Sequence, residues 1–265
     1  MKIILSRKGF DSSNGSQPNP ILPDGTLLSL PIPDEYGNNT FSSLQWEGKS
    51  YHDIIHSLKS RTKLKPDDCC HLDPDLRSEV KSRPSGWKPA FGQAGKALTH
   101  LRNNGVSKGD LFLFFGWFKE TEEINGCLRY KRRARNLHVI YAYMQIGDII
   151  ERMADAPNWL KDHPHIGDRN ERDDEHNAVY LPTDKLSFMQ NLPGSGVLNY
   201  RPNRVLTKEG MSRRYWDLPS FFKNVSISNN PNPWVNDVFL SAMIGQEFVM
   251  EATPEILEWT KHVIQ

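Results

Sequence analysis

Two runs decide the fold: Leu111-Phe112-Leu113-Phe114-Phe115-Gly116-Trp117-Phe118, and LHVIYAYMQIGDII from Leu137 to Ile150. Both are rich in β-branched and aromatic residues, which predicts strands. Apolar residues fall on consecutive positions, so both faces of the sheet should be covered, here by helices. The connection between the runs carries acids first (Glu120, Glu122, Glu123) and bases after (Arg129, Lys131, Arg132, Arg133, Arg135). Two strands joined in this way read as an antiparallel pair with a long polar excursion.

Working outward, Val106 to Asp110 is a turn leading into the first run. Before it, Ala94, Ala97, Leu98 and Leu101 recur at helical spacing and predict a helix ending near Gly105. Tyr51, Ile54, Ile55 and Leu58 predict another over 50–60, and 61–89 reads as polar surface loop. Lys2 to Ser6 is a short opening strand. Gly9 to Pro33 is too dense in glycine and proline for a helix, and Thr26 to Leu30 reads as a strand after the Asp24-Gly25 turn. In the last third, 177–182, 186–189 and 246–250 read as short strands and 171–175 as charged surface. Thr253-Pro254-Glu255 is a helix start running to about His262. The expectation is one α+β domain over 1–265, built on a mainly antiparallel, partly closed sheet with packed helices.

Composition narrows the class. Of 265 residues, 33 are Lys or Arg and 32 Asp or Glu, giving a net charge of +1 and excluding a polycation that coats nucleic acid. No stretch approaches the ~18 consecutive apolar residues of a membrane span. Met1 to Lys8 is too short in apolar residues for a signal peptide, and Cys69, Cys70 and Cys127 make no disulfide framework. A cytoplasmic location is expected.

The opening strand delivers Ser6-Arg7-Lys8-Gly9-Phe10-Asp11-Ser12-Ser13-Asn14-Gly15. Glycine lets backbone N–H groups face an anion, and hydroxyls and cations add donors for phosphate or sugar oxygens. Asp11 is the acid/base candidate, or a holder of a ribose hydroxyl. The alternative is a loop tied by Asx and Ser turns. Trp117 is the candidate stacking wall, and Gln145 can read a base edge with one donor and one acceptor. Ser6, Arg7, Lys8, Ser12, Ser13, Trp117 and Gln145 therefore form the expected nucleotide site, with Asp11 catalytic. Arg129, Lys131, Arg133 and Arg135 would share one face of a strand, a stripe suited to a phosphodiester backbone, with Arg213 and Arg214 as a second patch. The competing reading is a solvated hairpin arm neutralised by Glu120, Glu122 and Glu123.

His163-Pro164-His165, and Cys69-Cys70-His71 beside Asp73, each offer too few ligands for zinc, and neither CxxC nor HExxH occurs; no metal site is read. Phosphate-binding loop, dinucleotide and nucleophile-elbow motifs are absent as well.

KIILSRKGFDSSNGSQPNPILPDGTLLSLPIP resembles the opening of the nucleotide modification associated domain 3 family. FGQAGKALTHL, GDLFLFFGWF, HVIYAYMQIGDII and SRRYWDLPSFF are similar to the rest of its pattern. The resemblance implies a bacterial or phage protein working with DNA base or nucleotide modification, and it assigns no catalytic residue. VSKGDLFLFFGWF with HVIYAYMQIGDII is also similar to the strand rhythm of PUA-like barrels such as ASCH and EVE domains, which implies a fold that binds modified or flipped bases. Two functions follow: binding, with modification, of a nucleotide or nucleobase, or non-catalytic reading of a modified base for a partner enzyme. The expected partners are a nucleotide or nucleic acid, DNA ahead of RNA, and a base-modifying enzyme, without a membrane. No cofactor is assigned.

Overall fold

The computed structural model describes residues 1–59, 61–166, 176–230, 233–241 and 247–265. The charged stretch 171–175 and Gln246 lie outside them. The strands that matter here are β1 (Lys2–Arg7), β2 (Asn19–Ile21), β3 (Cys69–His71), β4 (Phe91–Ala94) and β5 (Leu111–Ile124). They continue with β6 (Cys127–Tyr130), β7 (Leu137–Ile150), β8 (Asn177–Pro182), β9 (Ser195–Val197) and β10 (Glu247–Glu251). The helices are α1 (Tyr51–Leu58), α2 (Gly95–Asn103) and α3 (Pro254–Ile264).

The two apolar runs form the long central pair. β5 and β7 are antiparallel, with Leu137 opposite Phe118 and Gln145 opposite Leu111. The excursion between them is shorter than expected because β5 runs on into its acids and turns at Asn125-Gly126. Both turn residues have positive φ (53° and 76°), the geometry that suits a tight hairpin. β6 then pairs back on β5. The main sheet runs β10-β1-β5-β7-β8-β4, with β2 and β6 also on β5 and β9 on β7. β1 and β2 are parallel to β5, and the other pairings in this sheet are antiparallel.

Alternation along β5 supplies two cores. Leu111, Leu113 and Phe115 face a cluster with Trp216, Phe248 and the α3 residues Ile256 and Val263. Phe112, Phe114 and Phe118 face another with Phe91, Tyr180 and the α2 residues Leu98 and Leu101. Helices thus cover both faces, as continuous apolar strands require. A third cluster packs α1 against Phe10, Leu28, Leu30 and Cys70. Among the described residues no helix is long and apolar enough to cross a membrane.

The sheet is a curled half-barrel. Among the described residues no ladder joins its edges β10 and β4, so PUA-like closure is not shown. The edges meet through side chains instead: Gln93 Nε2 on β4 donates to Glu247 Oε1 on β10 at 2.6 Å. Two local expectations need correction. Thr26 to Leu30 is not a continuous strand: Thr26 and Leu27 make only isolated bridges, to Asn199 and Ile21, and Leu30 N donates to the Asn19 side chain at 2.7 Å instead of to a ladder. The polar segment 61–89 contains β3, which pairs with Ile32–Pro33 and Asn39–Thr40 and carries His71 into the interior side of the molecule.

Candidate functional site

β1 ends at Arg7, and the chain then turns through Gly9 (φ 78°) under the control of Asn19. The fully buried Asn19 side chain accepts from Phe10 N (3.3 Å) and Leu30 N (2.7 Å) and donates to Phe10 O (3.2 Å) and Trp117 O (2.8 Å). This clip turns the loop inward. Arg7, Lys8, Gly9, Asp11 and Asn14 line one wall of a cleft of about 490 Å³. Ala94 and Ala97 bring the start of α2 to the same cleft, and Asp34, His71, Asp73 and His165 line it as well. Its volume falls in the usual range for small-molecule sites, ~300–1,000 Å³.

The loop is itself tied by an Asx turn: Asp11 Oδ1 accepts from Ser13 N (2.8 Å) and Asn14 N (2.7 Å). Oδ1 is therefore engaged in shaping the loop, and Oδ2 is the atom suited to a ligand. Exposed Ser12 accepts from Arg213 at 2.6 Å, and the Arg213 guanidinium stacks 4.1 Å over the Trp117 ring. Burial lowers Arg213 from its ordinary value and the nearby Arg7 charge lowers it further, while Asp11 pulls the other way. Two guanidinium groups thus share one side of the loop, a field that favours an anion. Lys8 is already neutralised. Its Nζ lies 3.1 Å from Glu247 Oε1, with both side chains buried.

The opposite wall is a histidine–carboxylate cluster drawn from three distant segments. His71 Nδ1 is 2.9 Å from Asp34 Oδ2. A carboxylate only accepts, so Nδ1 carries the proton and the Nε2 lone pair faces inward. His165 Nδ1 is 2.7 Å from Asn177 Oδ1. The Asn177 amide is oriented by its own donation to His165 O (2.7 Å), so His165 also presents the Nε2 lone pair. The two Nε2 atoms are 3.2 Å apart. Asp73 Oδ1 accepts from Gly92 N at 2.6 Å and lies 3.4 Å from His163 Nε2, and its Oδ2 is 3.9 Å from His165 Nε2. Burial pushes His165 down to about 3, with Asp73 opposing, so the ring is neutral. Burial works to raise Asp73, but His163, His165 and His71 outweigh it and hold the carboxyl below its ordinary range.

Other expected residues are placed differently. Gln145 is at the far end of β7 from Trp117, because antiparallel pairing sets Trp117 opposite His138. Its amide donates to Gly109 O (2.9 Å) and Ser187 Oγ (2.7 Å) and accepts from Ser187 N (2.7 Å), a structural clasp outside the cleft. Ser6 is fully buried, and Ser13 is exposed on the loop. The stripe of Arg129, Lys131, Arg133 and Arg135 does not form, because β6 stops at Tyr130. Arg129 pairs with Glu122 and Lys131 with Glu120, both at 3.2 Å, while Arg133 and Arg135 line a separate cleft. Arg214 is exposed.

Sequence reading missed Asn19, Asp34, Gln93 and Asn177. It weighed His71–Asp73 and His163–His165 as separate, ligand-poor clusters. Only the density of polar residues near each pair was available as a signal. The family model described as nucleotide modification associated domain 3 matches residues 2–251. The chain belongs to that family. No curated protein and no solved structure matches it. Within this nucleotide modification associated domain, both walls of the cleft fall inside the matched span.

Proposed function

We propose that the protein binds a nucleotide or nucleobase in the cleft between the Arg7–Asn14 loop and the His71–Asp73–His165 wall, and acts on it in a DNA or nucleotide modification system. The observation that carries this reading is that Arg7, Lys8, Gly9, Asp11 and Asn14 of the loop line a cleft of about 490 Å³ that also receives the start of α2, while Ser12 and Ser13 lie exposed outside its lining. Arg7 and Arg213 supply positive charge for phosphate, the first turn of α2 supplies further donors, and Asp11 Oδ2 is free of the Asx turn for a sugar hydroxyl or for acid/base work. Trp117 stays close through Arg213 and offers a stacking face if an incoming phosphate draws the guanidinium away. The titratable groups on the opposite wall favour an enzyme over a pure reader.

The test is thermal shift with nucleotides, nucleosides and modified oligonucleotides, followed by mass analysis of the recovered ligand. A true ligand at about a hundred times its Kd adds ~2.7 kcal/mol of stability. Loss of a charge-assisted contact in Arg7→Ala should weaken it by at least about tenfold. Asp11→Asn should end turnover and spare binding. A ligand returned with unchanged mass identifies a reader. No shift with any compound, or binding unaffected by Arg7→Ala, refutes the site.

A further inference from the structure

We infer that His71, Asp73 and His165 form a binding site for one first-row divalent transition-metal ion. The inference does not rest on the nucleotide reading. One ligand atom from each of His71, Asp73 and His165 lies within 4.8 Å of the others, and the two Nε2 atoms are 3.2 Å apart. His71 and Asp73 come from one turn, in which Asp73 N donates to His71 O at 2.9 Å, and His165 joins them from 94 residues after His71.

Three features separate it from an ordinary polar cluster. The first is tautomer control. Asp34 holds the outer nitrogen of His71 at 2.9 Å and Asn177 that of His165 at 2.7 Å, which turns both inner nitrogens into ligands. Supporting acceptors of this kind are the usual second layer around metal-bound imidazole. The second is spacing. With metal–nitrogen bonds of ~2.1 Å, the 3.2 Å Nε2–Nε2 separation subtends about 100°, between octahedral and tetrahedral values. Asp73 Oδ2, now 3.9 Å from His165 Nε2, needs an approach of only ~0.5 Å to join them. The third is the fit of Asp73 itself. Its Oδ1 is held by Gly92 N at 2.6 Å and faces His163 Nε2 at 3.4 Å, so the carboxylate is fixed by one oxygen and turned inward by the other.

Two imidazoles and one carboxylate suit iron, manganese, cobalt or zinc better than magnesium or calcium, which prefer all-oxygen sites. Three protein ligands are found among the described residues, a set that leaves coordination positions to be filled from the cleft these residues line. The ion would then lie in the same cavity as Arg7 and Asp11.

The experiment uses the full chain. Protein stripped with chelator is titrated with Co²⁺, Zn²⁺, Mn²⁺ and, under anaerobic conditions, Fe²⁺, with binding read by cobalt visible absorption, elemental analysis and Tm. The expected result is one ion per chain with a raised Tm. Asp34→Asn, which leaves all three ligands in place, should weaken binding about ten- to hundredfold. His71→Ala and Asp73→Asn should abolish stoichiometric binding, and Asp11→Asn should leave it unchanged. Failure of the wild-type chain to bind any of the four ions near one equivalent overturns the inference without reference to any variant's folding. So does undiminished binding in folded His71→Ala. Because no nucleotide is present, its outcome is separate from that of the nucleotide test.

Discussion

Gly92→Ala is the sharpest perturbation of the cluster, because the structure sets its sign. Gly92 sits in β4 with ordinary extended φ, where alanine without a clash would stabilise by ~0.4–1 kcal/mol through the unfolded chain. Here a Cβ would stand 2.1 Å from Cδ2 and 2.2 Å from Cγ of His165. Ordinary contact begins near 3.4 Å, so ring and strand must separate by about 1.3 Å. The ring has little room to retreat, since Asn177 holds it at 2.7 Å and His71 stands 3.2 Å from its other nitrogen. Overpacking of this sort costs ~1–3 kcal/mol. At ~2–4 °C per kcal/mol for a chain of this size, Tm should fall by about 2–12 °C. Metal ligands tolerate only ~0.2 Å of error, so metal binding should be lost in the same variant. The assay is a thermal melt with and without Co²⁺, on Gly92→Ala, His165→Ala and the double variant. Removing the ring removes the clash, so adding Gly92→Ala to His165→Ala should cost less than ~0.5 kcal/mol, a coupling of ~1–3 kcal/mol. A Tm at or above wild type for Gly92→Ala, or additive losses in the double variant, would refute the placement of His165 against β4.

The buried Lys8–Glu247 pair should fasten the chain leaving β1 to the neighbouring strand β10. Glu247→Gln strands the ammonium and should cost ~3–5 kcal/mol, whereas Lys8→Met with Glu247→Leu should cost less than either single change; chemical denaturation distinguishes the two, and a single variant as stable as wild type contradicts the pair. Stability should also fall as pH drops from about 6.5 towards 3. Burial, then the charges of Arg7 and Arg213, push His138 down to about 3 in the folded chain, so below ~6.5 the unfolded chain binds a proton that the folded one refuses. Protonation would break the bond in which Trp216 Nε1 donates to His138 Nδ1 at 3.0 Å. His138→Gln should flatten the slope of Tm against pH over that window, and an unchanged slope would remove His138 as a cause.

Elements with a strong local apolar pattern are legible in the sequence. β5 and β7 could be read from unbroken aromatic and β-branched runs, α2 from apolar residues three and four apart, and the cap at Thr253 because it is chemistry within one turn. The short apolar stretch Thr26 to Leu30 misled because its pairing stops at isolated bridges where the Asn19 side chain takes the N–H of Leu30, a contact no local pattern records. Gln145 was misplaced because grouping it with Trp117 overlooked the antiparallel pairing itself, which sets late residues of β7 against early residues of β5 and puts Gln145 opposite Leu111.

The sequence by itself determined the two long apolar strands, the residue types offered by the Arg7–Asn14 loop and the family. Those depend on neighbours along the chain, where backbone geometry couples residues a few positions apart. The histidine–carboxylate wall was decided by tertiary structure alone. Asp34, His71, Asp73, His165 and Asn177 approach one another only because the half-barrel curls and β3 is carried against it, and the orientation of each ring depends on an acceptor far away in sequence.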